Sequence, residues 1–134
     1  MNKITFIFSI FLAIATIGCS NSGQSQTSNA SVTNIDAPTF TKMLKDSNTI
    51  VIDVRTPGEV KEGYIPGAKL FWDYNSGDFE KNLGGLDSSK TYVVYCRSGV
   101  RSSKASQLLI DKGFKKVYNL EGGINGWPGE IKKD

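Results

Sequence analysis

The run Cys96-Arg97-Ser98-Gly99-Val100-Arg101-Ser102 places one thiol, two guanidiniums and a glycine within seven residues. Before it, Thr91-Tyr92-Val93-Val94-Tyr95 is apolar, β-branched and aromatic, the composition of a buried strand. After it, Ser103 to Asp111 carries Ala105, Leu108 and Leu109 on one helical face, and Gly113 is a stop signal. The thiol of Cys96 is therefore expected, partly exposed, on a tight turn between a central strand and a helix N-terminus. The helix dipole, inward-pointing backbone amides and the charges of Arg97 and Arg101 all favour a thiolate there. Gly99 supplies the backbone freedom that converging amides require. The chemistry this predicts is nucleophilic attack by sulfur inside an anion cradle.

The rest of the inventory narrows that chemistry. The chain has no histidine, which removes Cys–His proteolysis, histidine general-base catalysis and histidine-ligated metal sites. It has two cysteines, Cys19 and Cys96, too few for a dithiol centre in the domain or a cysteine-rich zinc site. No metal and no cofactor are called for. A net charge of +3, or +2 once Lys3 is removed with a leader, is too small to imply nucleic acid.

These residues must be held by a small domain. Lys3 followed by the apolar run Ile4 to Ile17 reads as a signal peptide over residues 1–18. It is shorter than the roughly 20 residues of a spanning helix. Thr16-Ile17-Gly18-Cys19 resembles the bacterial lipobox, which makes Cys19 the expected lipid attachment point. Acyl chains there would anchor the protein to the cell envelope without crossing the bilayer. Residues 19–31 then form a polar, flexible linker, roughly 20 Å long as a coil. Residues 32–134 are the globular domain, expected as a monomer.

Within the domain, strands are predicted at Val32–Ile35, Thr49–Val54, Ala68–Phe71, Thr91–Tyr95 and Lys116–Leu120. Helices are predicted from Asp36 to about Lys45, from Thr56 to about Glu62, over Asp78–Asn82 and after the cysteine turn. Alternation of this kind predicts an α/β fold with a mainly parallel five-stranded sheet flanked by helices. In such sheets, sites lie beyond the carboxyl ends of the strands, where Cys96 falls. Asp53 and Arg55 read as a structural ion pair, and Trp72, Tyr74 and Trp127 as core or rim.

Four segments together resemble the single-domain rhodanese family over nearly all of Val32 to Trp127. They are Ile52-Asp53-Val54-Arg55, Glu62-Gly63-Tyr64-Ile65-Pro66-Gly67-Ala68, the loop Cys96 to Arg101, and Gly122-Gly123 through Trp127. Tyr64 stands where that family usually has histidine. The resemblance implies a sulfurtransferase: Cys96 takes a sulfane sulfur from thiosulfate or a polysulfide, becomes a persulfide, and passes the sulfur to a thiol or to cyanide. It assigns Arg97, Ser98, Gly99, Val100 and Arg101 to binding the anionic donor and the persulfide. The expected partners are thus small sulfur-containing anions and thiol acceptors.

Two rival readings remain. Cysteine phosphatases place five residues between cysteine and arginine to cradle a tetrahedral phosphate, whereas four separate Cys96 from Arg101. The other rival is a carrier or binding module that holds a persulfide for one partner without turnover.

Overall fold

The structure, a computed structural model, describes residues 31–134. The apolar leader, Cys19 and the linker up to residue 30 lie outside the described residues. Strand β1 (Thr33–Ile35) leads into α1 (Ala37–Met43), then β2 (Thr49–Asp53), α2 (Pro57–Lys61) and β3 (Ala68–Phe71). Helix α3 (Asp78–Asn82) continues into a 3-10 turn at Leu83–Gly85, followed by β4 (Thr91–Tyr95), α4 (Val100–Asp111) and β5 (Val117–Leu120). A last 3-10 turn spans Gly123–Gly126. The strands form one sheet in the order β1-β5-β4-β2-β3, with all pairs parallel.

Local chemistry explains the element ends. The Asp36 carboxylate accepts from the Thr39 amide at 2.9 Å, capping α1 ahead of Pro38. Thr56 and Glu59 form a reciprocal capping box at the start of α2. Gly113, with φ +95°, follows the end of α4. Helix α4 begins earlier than the sequence suggested. Gly99 adopts φ +101°, turns the chain sharply, and its carbonyl accepts from the Ser103 amide at 3.0 Å. Val100 and Arg101 consequently sit in the first turn of α4 rather than in a loop before it.

The period-two alternation of a strand sorts the core into two layers. Val51, Val93 and Tyr95 join Ile35, Ile65 and Leu120 around Phe40 of α1. Ile52, Val54, Tyr92, Val94 and Cys96 face the other way, onto Phe79, Ala105 and Leu109. Phe40, Phe79 and Leu109 are fully buried, and burial of each contributes about 1.5–3 kcal/mol. The buried stripe of α4 is Ser102, Ala105, Ser106 and Leu109, while Leu108 is only half-buried. Two small hydroxyl residues replace bulk on this stripe, so the helix N-terminus lies close over the end of β4.

Candidate active site

Cys96 immediately follows β4, and strand alternation aims its side chain at the α4 layer. Sequence reasoning expected a partly exposed sulfur. The residue is instead fully buried, because the first turn of α4 roofs it. The Gly99 amide donates to Cys96 Sγ at 3.1 Å and Ser102 Oγ donates at 3.4 Å. Burial is the largest single influence on this thiol and pushes its pKa up. The Ser102 hydroxyl and amide, with the Gly99 and Ser98 amides, outweigh it and leave the pKa below the ordinary thiol value. The cradle is thus built from oriented hydrogen-bond donors more than from guanidinium charge. Ser102 is a site residue the sequence reading missed, although its hydroxyl sits one helical turn past Gly99.

The loop is held from behind. The Ile124 amide donates to the Cys96 carbonyl at 2.9 Å, and the Asn125 amide donates to the Arg97 carbonyl at 3.0 Å. Those bonds take up two loop carbonyls, while the Ser98 and Gly99 amides serve the sulfur. Gly123 makes the close approach possible: a Cβ there would lie 2.5 Å from the Cys96 carbonyl oxygen and 2.6 Å from that of Arg97. The Gly122-Gly123 segment therefore clamps the cysteine loop.

The two guanidiniums part company. Arg97 is exposed and lines a cavity of about 240 Å³ beside the loop, together with Glu59, Glu62 and Trp127. Arg101 instead makes a two-pronged ion pair with Glu59, Nη1 to Oε2 at 2.8 Å and Nη2 to Oε1 at 2.7 Å. Its hydrogen bond to Glu59 is the leading reason it is held charged, with Cys96 a lesser partner. The Glu59 carboxyl is driven down to about 2, chiefly by the Arg101 hydrogen bond against the opposing effect of burial. Glu59 escaped the sequence reading; its signal was the Thr56-x-x-Glu59 capping pattern.

Asp53 and Arg55 form a buried pair at 2.7 Å, 0% and 5% exposed. Arg55 also donates to the Gly63 carbonyl at 2.8 Å and the Glu59 carbonyl at 3.3 Å, and lies 5.7 Å from the centre of the Tyr95 ring. This pair anchors the segment that carries Glu59. Tyr64 holds the C-terminal tail: it exchanges backbone hydrogen bonds with Lys132, and its hydroxyl donates to Asp134 at 2.9 Å. Trp72 and Tyr74 pack against Phe79, and Trp127 meets Phe40 edge-on at 5.3 Å. Ser98 is exposed beside Arg97, and Val100 is 62% exposed at the start of α4.

Comparison with known proteins agrees with this geometry. Residues 36–130 match the rhodanese-like domain family. The chain is 43% identical over 91 residues to YtwF of Bacillus subtilis, whose name carries a provisional sulfurtransferase assignment; the match covers 68% of this chain and 84% of that one. It is 33% identical over 97 residues to a sulfurtransferase of Allochromatium vinosum, covering 72% and 88%. A tRNA uridine(34) hydroxylase of Prochlorococcus marinus is 36% identical over 110 residues, 76% of this chain but 35% of that longer protein. The crystal structure of a rhodanese-like domain protein from Staphylococcus aureus superposes with a TM-score of 0.66 at 30% identity, covering 77% of this chain and 99% of that one.

Proposed function

The chain belongs to the rhodanese-like family, the relatives it matches over most of their own length carry sulfurtransferase names, and from there we propose that it transfers sulfane sulfur through a persulfide on Cys96. The observation that carries this reading is the buried Cys96 sulfur receiving hydrogen bonds from Gly99 and Ser102, with its pKa held low. With thiosulfate, the thiolate attacks the outer sulfur, the S–S bond breaks, and sulfite leaves with the electron pair. The product is the Cys96 persulfide anion, and charge is conserved. Cyanide or a thiolate then attacks the terminal persulfide sulfur, and the Cys96 thiolate departs. No proton needs shuttling in either step, so the absence of histidine is no obstacle. Amides of the loop and the N-terminus of α4 stabilise the negative charge that moves to the terminal sulfur.

Intact mass after incubation with thiosulfate tests this reading. The expected result is a gain of one sulfur, lost on addition of cyanide, with neither event in Cys96→Ser. A Cys96→Ser variant that still transfers sulfur would refute the nucleophile assignment. A persulfide that forms but does not turn over would favour the carrier reading. Ready hydrolysis of p-nitrophenyl phosphate would favour the phosphatase. The proposal extends to the N-terminus: Cys19 is lipidated and the linker holds the domain at the bacterial cell envelope, on the strength of the lipobox resemblance.

A further inference from the structure

Arg97 and Arg101 look equivalent in the sequence, and the structure makes them different. Among the described residues, Arg97 has no carboxylate partner, whereas both prongs of Arg101 are filled by Glu59. Glu59 is itself fixed in place. Its Oε2 accepts from the Thr56 amide and hydroxyl, each at 3.0 Å, and its carbonyl accepts from Arg55, which is tied to buried Asp53. With its pKa near 2, Glu59 is charged wherever Cys96 is a thiolate. Glu59 and Glu62 also line the cavity that Arg97 lines. Arg55 lines it as well, but its guanidinium is taken up by buried Asp53. An anion drawn in by Arg97 therefore meets two carboxylates, and finds the guanidiniums of Arg55 and Arg101 already paired.

We propose that Glu59 is a positioning residue that sets donor choice: by occupying Arg101 and placing a carboxylate on the cavity wall, it disfavours dianionic donors such as thiosulfate and favours organic persulfides bearing one negative charge. This deepens the sulfurtransferase reading and rests on it. With an organic persulfide, the Cys96 thiolate attacks the outer sulfur of R–S–S⁻, the S–S bond breaks, and the thiolate R–S⁻ leaves with the electron pair. Two negative charges enter and two remain.

The test compares the full chain with Glu59→Gln. Glutamine keeps one oxygen for the Thr56 amide and Arg101 Nη1 but turns an N–H toward Nη2 and removes the negative charge, so the guanidinium is no longer neutralised. Single-turnover persulfidation of Cys96 is followed by intact mass with two donors, thiosulfate and the persulfide of 2-mercaptoethanol. The ratio of the thiosulfate rate to the persulfide rate is expected to rise about tenfold or more in Glu59→Gln, the scale of removing one like charge from beside an anion. A loss of stability would slow both donors and leave the ratio alone. An unchanged or lower ratio overturns the proposal. A second readout needs no turnover: sulfate, an inert dianion, is titrated for protection of Cys96 from iodoacetamide. Half-protection is expected at about tenfold lower sulfate in the variant. If neither donor loads Cys96 in the unmodified chain, the sulfurtransferase reading fails, and sulfate protection alone decides whether Glu59 excludes dianions.

Discussion

Ser102 acts on Cys96 through two donors, its hydroxyl and its amide. Its hydroxyl and amide lead the hydrogen bonds that lower the Cys96 pKa against the opposing push of burial. Replacing it with alanine removes the hydroxyl while keeping the helix and the amide. The folded-state thiol pKa in Ser102→Ala must then rise, so the fraction of thiolate at neutral pH falls. Iodoacetamide alkylation of Cys96 measured across pH is expected to show its inflection at higher pH than in the unmodified chain. Persulfidation by thiosulfate at neutral pH should slow in step. An unmoved inflection would mean the amides alone hold the thiolate. Cys96 and its neighbours in the chain were legible in the sequence because thiol, arginine and glycine have few other reasons to cluster. Ser102 was not, because a serine in a helix usually faces solvent, and only packing shows this one turned inward.

At the scale of elements, the site lies where two connections diverge. β2 leads to β3 at one edge of the sheet, and β4 leads to β5 toward the other. Ligands bind at such a divide in open parallel sheets. The segment after β2 brings Arg55 and Glu59, the loop after β4 brings Cys96 and Arg101, and the Glu59–Arg101 pair joins them. Arg55 is the anchor of the first segment, bridging buried Asp53 to the Gly63 and Glu59 carbonyls. Arg55→Ala leaves the Asp53 carboxylate buried without its countercharge. Chemical denaturation is expected to show a loss of about 3–5 kcal/mol. A loss below about 1 kcal/mol would mean that the pair behaves like an exposed one, with water reaching Asp53. The pair itself was readable from Asp53-x-Arg55, an acid and a base two residues apart at a strand end. Its reach to α2 was not, since hydrogen bonds to backbone carbonyls leave no mark in residue type.

The described residues, 31–134, form one domain, and the leader and linker ahead of it belong to the proposed reading. No helix among the described residues is long and apolar enough to cross a membrane; the proposed attachment is a lipid on Cys19. Two or three acyl chains are enough for stable anchoring. Expressed in a bacterium, the full chain is expected in the membrane fraction, and Cys19→Ala in the soluble fraction with sulfur transfer intact. Equal partitioning of the two would overturn the lipid assignment. The domain itself needs no such anchor to fold, because two apolar layers sandwich its sheet.

The alternation of strands and helices, the parallel sheet and the position of Cys96 at a strand end were all legible in residue order. Those follow from local periodicity, turn residues and motif spacing, all of which act over a few neighbouring residues. The burial of the sulfur, the Gly123 clamp behind the loop and the capture of Arg101 by Glu59 emerge only in the folded chain. Each of these depends on groups far apart in the chain meeting in space. Glu59 and Arg101 stand 42 positions apart, and no local pattern can say which of two arginines a distant carboxylate will hold.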